Sequence, residues 1–214
     1  MKKNVPQIIC NIALYVFMAV YLVASIWVLY MFIKDMIEDS SFDISIIAIL
    51  LTVVILPWAL FLLRNKIKSI YFIILCCLGV IALFFVFNYS LGFYFVYEFI
   101  LFALPLTYLL FGLRFIFKPT RKLFTFLNIL YIFLLIVTIA AIAYFGYGIC
   151  KVIIGILAWA FALSFLLIFY FSWSALFMFC TSVHNVKIKP LAERELFAEN
   201  DDKEQGGNVE DEVE

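Results

Sequence analysis

Apolar, uncharged stretches follow one another along the chain at 8–33, 44–63, 69–97, 99–113, 123–150 and 152–180, separated by short clusters of charge. A hydrocarbon core about 30 Å thick takes roughly 20 apolar residues to cross as a helix. Other open structures leave backbone polar groups unpaired in lipid at high cost. The stretch 69–113 is broken only by Glu98 and, at about 1.5 Å per residue, is about twice too long for one crossing. Asn88, Ser90 and Gly92 supply turn chemistry inside it. The pattern therefore predicts an all-α, polytopic integral membrane protein of six transmembrane helices, at about 8–33, 44–63, 69–88, 97–117, 123–145 and 151–173. They form three antiparallel hairpins in a domain covering 1–182, followed by an acidic, largely disordered tail over 183–214.

Glu98 and Arg114 then lie sixteen positions apart on one helix, about 24 Å along its axis, and so mark its two ends rather than pair. Glu98 facing a cavity as an ion or proton site is the alternative.

Charge sets the direction. Lys2 and Lys3, then Arg64, Lys66 and Lys68, then Arg114, Lys118, Arg121 and Lys122, then Lys187, Lys189 and Arg194 all fall on one side of the predicted spans, with only Lys34 and Lys151 opposite. The positive-inside bias puts the basic side, and both termini, in the cytoplasm. Trp27 and Tyr30 fit an outer aromatic belt, and Tyr71 and Trp173 an inner one. Ten of the fifteen carboxylates follow residue 190, which makes the end of the chain a solvated acidic tail facing an anionic leaflet.

Composition agrees: 67% of the 214 residues are hydrophobic and 14% charged, against roughly half and a quarter in soluble domains. Of the five cysteines only Cys150 faces outward on this topology, so no disulfide framework is expected.

Pro57 and Pro105 each lack an N–H and crowd the preceding turn, so each is expected to kink its helix and free a carbonyl, that of Val53 and of Leu101 respectively. Such breaks shape cavities in transporters. Asn128 is a polar group just inside the basic end, expected to hydrogen-bond a neighbouring helix. Gly155, Ala158 and Ala162 form one small-residue face for helix packing or self-association. Residues 144–150, Tyr-Phe-Gly-Tyr-Gly-Ile-Cys, contain a Gly-Tyr-Gly, but nothing before it leaves room for the pore helix of a potassium filter. Gly146 and Gly148 read as a tight turn. Cys180 and the single histidine, His184, stand four apart, which on a continuing helix sets them side by side, with no further ligand spaced for a metal.

Chemistry-bearing residues are scarce. One histidine excludes an HExxH metalloprotease, and no clustered Asp, Arg or His suggests a lipid-head transferase or phosphatase. The expectation is therefore a non-catalytic protein without cofactor, metal or nucleic acid. It is expected in a lipid bilayer, a bacterial cytoplasmic membrane, as an accessory, assembly or protective subunit that binds another membrane protein or its own kind. The alternative is a small solute-binding transporter component or channel with a cavity near Pro57 and Pro105.

Overall fold

In the computed structural model of the chain the described residues are 5–39, 47–48, 50–91, 95–154 and 160–197. Six helical rods account for nearly all of them, and no strand occurs among them. Rod α1 is Val5–Asp39. Rod α2 is wound as a π-helix over Leu50–Ile55 and continues as an α-helix over Leu56–Leu63. Rods α3, α4 and α5 are Ser69–Leu91, Phe95–Phe117 and Arg121–Ile154. Rod α6 runs from Ala160–Val183 through a π-turn at His184–Ile188 into Lys189–Glu195. Two described segments, Ser69–Asn88 and Arg121–Gly148, are long and apolar enough to cross a membrane; Leu14–Trp27, Leu50–Leu63 and Leu101–Phe117 are shorter apolar helical stretches.

The turns follow from local chemistry. Pro119 cannot continue α4, and its ring pushes Lys118 out of helical conformation. Thr120 then opens α5, its hydroxyl accepting from the Leu123 N–H at 3.4 Å. At the other short connection the N–H groups of Lys66 and Ile67 close on the Leu63 carbonyl at 3.0 and 3.1 Å.

Rod α6 is the centre of the molecule. It packs against each of the other five rods, and from Phe171 to Asn185 every side chain except the half-buried Phe177 is buried. A helix apolar on all sides belongs inside a bundle. Its serines and alanines keep the neighbours close: Ser172, Ser174, Ala175 and Ser182 are all buried.

Two expectations change here. The tight turn at Gly146 and Gly148 is absent: α5 stays helical through Lys151 to Ile154. Isolated helical glycines cost only about 1 kcal/mol each relative to alanine, no proline intervenes, and a side chain at Gly146 would meet nothing within 4 Å. Without a break, the helix continues.

The sixth helix is also displaced along the chain from 151–173. Trp173, expected at an inner interface, is buried against Phe102 with ring centroids 6.4 Å apart. The residue of α6 that meets the basic 64–68 turn is Lys187, whose Nζ donates to the Ile67 carbonyl at 3.0 Å. Fourteen positions separate Trp173 from Lys187, about 21 Å of helix. The boundary at 182/183 accordingly falls inside a continuous rod, with Pro190 in the first turn of its last segment. Residues 198–214 of the expected tail lie outside the described residues.

Candidate functional site

Pro57 is buried in the first turn of the α-helical part of α2, directly after the π-turn. Its missing N–H and its ring deprive the Val53 carbonyl of a normal helical partner, and π winding is one way a helix absorbs such a misfit. The freed carbonyl is taken by the Tyr21 hydroxyl of α1, which donates to it. Tyr21 passes its own carbonyl to Ser25, whose hydroxyl donates at 2.7 Å. A sequence-legible proline thus ties α1 to α2.

Tyr21→Phe leaves that buried carbonyl unpaired, and a loss of about 1–2 kcal/mol is expected. In a Pro57→Ala background, where a backbone N–H returns to position 57, the same change should cost less. Thermal unfolding followed by helical circular dichroism in detergent measures both.

Beside Tyr21 a cleft of about 550 Å³ runs between α1 and α6, lined among others by Ile12, Val16, Val20, Tyr170 and Ser174. Ser174 is 1% exposed and its hydroxyl has no hydrogen-bond partner among the described residues, nor do the buried Thr181 hydroxyl and Asn185 Oδ1. Seven and four positions separate these three residues, so they share one side of α6. The contrast with other helical polar groups is sharp. Ser25, Asn88, Thr125 and Thr138 all turn back on the carbonyl four residues earlier. A buried hydroxyl without a partner is costly, and Ser174, which carries one, is among the residues that line the apolar cleft.

A second polar cluster lies on α6 nearer the basic end. The His184 ring stacks on Tyr131 of α5 at 3.9 Å and 2°, and its Nδ1 shares a hydrogen bond of 2.8 Å with the Tyr108 hydroxyl of α4. Three rods are joined through one imidazole. Cys180 is fully buried one turn away, but the hydrogen bond of His184 goes to Tyr108. Lys187 follows, its ammonium 5.6 Å from the centre of the Phe72 ring; partial burial lowers its pKa from the ordinary lysine value. No group of three or more His, Cys, Asp or Glu able to hold a metal occurs among the described residues.

The remaining candidates do not converge. Pro105 is buried within an α4 that stays helical across it. A 250 Å³ cavity between α3 and α4 flanks Pro105 through Leu106 and Thr107. Asn128 is half-buried on α5. Glu98 is on α4 near its start, with its side chain outside the described residues; Gly155 and Ala158 lie outside them, as does the side chain of Ala162. Sequence reasoning passed over Tyr21, Tyr108, Tyr131 and Ser174. The seven-residue spacing of Ser174 and Thr181 could have flagged a polar side of α6, whereas nothing local links Tyr108 and Tyr131 to His184. No protein-family model, curated protein or solved structure matches the chain.

Proposed function

We propose that the chain is a six-span integral membrane protein that acts without catalysis, binding a transmembrane helix of another membrane protein in the cleft between α1 and α6. The membrane reading is supported by the outward faces of the rods. Ile129, Ile132, Phe133, Ile136 and Ile139 of α5 are all more than half exposed, an apolar extent rare on proteins in water. It is supported too by the gathering of basic turns at one end, where Lys187 reaches Ile67 and Arg121 reaches the Leu196 carbonyl at 3.3 Å. That end faces the cytoplasm by the positive-inside bias, with a bacterial cytoplasmic membrane as the setting.

One observation carries the partner-binding reading: an apolar cleft open to the side, with an unpartnered buried hydroxyl in its lining. Its outer wall is a ridge on α1, Ile12, Val16 and Val20, 57–59% exposed and repeating at helical spacing. Helices associate in lipid through close packing and hydrogen bonds rather than through hydrophobic burial. A partner helix seated against the ridge gains the first, and a polar side chain reaching Ser174 gains the second.

The test is purification from native membranes in mild detergent. A stoichiometric membrane-protein partner is expected with the wild-type chain, reduced at least about tenfold by Ser174→Leu, which fills the cleft and removes the hydroxyl. Recovery of a bound solute in place of a protein, with ion or solute flux in liposomes abolished by Glu98→Gln, would replace this reading with the transporter one.

A further inference from the structure

We infer that the turn between α4 and α5 forms a binding site for a phosphate-bearing anion, the headgroup of an anionic phospholipid. A cavity of about 510 Å³ opens there, lined by Arg114, Lys118, Thr120 and Lys122 above and by Phe111, Leu123 and Phe126 below. Its walls have two characters, and each matches one part of an amphiphile.

The upper wall is cationic. Arg114 and Lys118 are four apart at the end of α4, and Lys122 comes across the turn from the first residues of α5. All three are exposed, and no ion pair to any of them occurs among the described residues. The start of a 34-residue helix adds the positive end of its dipole. Arginine offers paired donors to a phosphate, and lysines offer point charges.

The lower wall is apolar. Phe111 and Phe126 meet edge to face at 5.1 Å, and Phe126 remains 43% exposed. A soluble phosphate compound has no use for that floor, while the first carbons of an acyl chain lie naturally on it. The lipid as source rests on the membrane reading above; the phosphate chemistry does not.

Native mass spectrometry of the full chain in detergent tests the site, with added dioleoyl phosphatidylglycerol against dioleoyl phosphatidylcholine. The anionic lipid is expected to bind at least about tenfold more tightly, since each basic group near an anionic surface contributes about 1 kcal/mol. The triple change Arg114→Gln, Lys118→Gln, Lys122→Gln should abolish that preference. The pair Lys66→Gln, Lys68→Gln, on the neighbouring turn and outside the cavity, should leave it intact. Circular dichroism checks that the triple variant is helical; if it is not, Lys118→Gln with Lys122→Gln should show a partial loss.

Pyrophosphate at millimolar concentration separates the sources. Weak competition supports the lipid, and full displacement with direct pyrophosphate binding reassigns the site to a soluble phosphate. Equal affinity for both lipids, or an unchanged preference in the triple variant, overturns the proposal. Release of the chain from membranes by alkaline carbonate would count against the six-span reading alone, because pyrophosphate binding and its loss in the triple variant can still be measured.

Discussion

His184→Ala is expected to destabilise the chain by about 3–5 kcal/mol, more than most single changes in the bundle. Three losses add. The imidazole that stacks on Tyr131 at 3.9 Å disappears, leaving a cavity at a position only 2% exposed. The Tyr108 hydroxyl, on a residue with no exposure at all, loses its partner at 2.8 Å, and an orphaned buried hydroxyl alone costs about 1–3 kcal/mol. The rods α4, α5 and α6 also lose the side chain of α6 that bonds Tyr108 and stacks on Tyr131. His184→Phe keeps a ring for Tyr131 and fills most of the space, so it isolates the orphan term. If that term is real, Tyr108→Phe should rescue part of the loss in either background, a coupling of about 1–2 kcal/mol in a double-mutant cycle. Thermal unfolding in detergent followed by circular dichroism reads the whole series. A loss below about 1 kcal/mol for His184→Ala would mean that the imidazole is not the closed joint between three rods described above.

The same residue shows what the sequence could and could not disclose. Position 184 was legible as the only histidine, four residues after Cys180, because spacing along one helix is local information. Its actual partners lie 76 and 53 positions away, and no periodicity encodes which side of α4 or α5 turns inward when every side is apolar. The uniform greasiness that makes helices easy to predict hides their rotation. Pro57 is the opposite case: its effect is a matter of covalent structure, so the freed Val53 carbonyl could be named from the sequence, although the Tyr21 hydroxyl as its hydrogen-bond donor could not. The sixth helix was misplaced for a third reason. Lys151 reads as a boundary if charge alone marks helix ends, but a lysine in the last turn of a long helix is favourable to the dipole and solvates itself by its flexible stem. α5 therefore carries it as an exposed residue, and the described part of the next helix is Ala160–Val183.

Arg64→Glu is the second change expected to be severe, again about 3–5 kcal/mol, the cost of an uncompensated charge in a buried site. Sequence placed Arg64 among the loop bases, yet it is 7% exposed. Its guanidinium lies 3.8 Å over the Phe61 ring and 5.2 Å from the centre of the Tyr15 ring, and it donates to the Tyr15 hydroxyl at 2.9 Å. A desolvated cation on aromatic faces is worth about 2 kcal/mol or more, and a carboxylate at the same place meets the negative face of each ring. Arg64→Lys keeps the charge but loses the planar stack, so a smaller cost of about 1 kcal/mol is expected. Tyr15→Phe removes only the hydroxyl and should cost least. This order, glutamate worst and phenylalanine mildest, separates an aromatic-held cation from a residue that merely sits at a basic end, for which all three would be nearly silent. Tyr15 precedes Val16 of the cleft wall, so Arg64 also fixes how α1 stands against its neighbours. Arg64→Glu should therefore weaken partner retention in the purification described above even at temperatures where the chain remains folded, whereas Arg64→Lys should retain it; equal retention by the two would detach Arg64 from the cleft and leave it a stability residue alone.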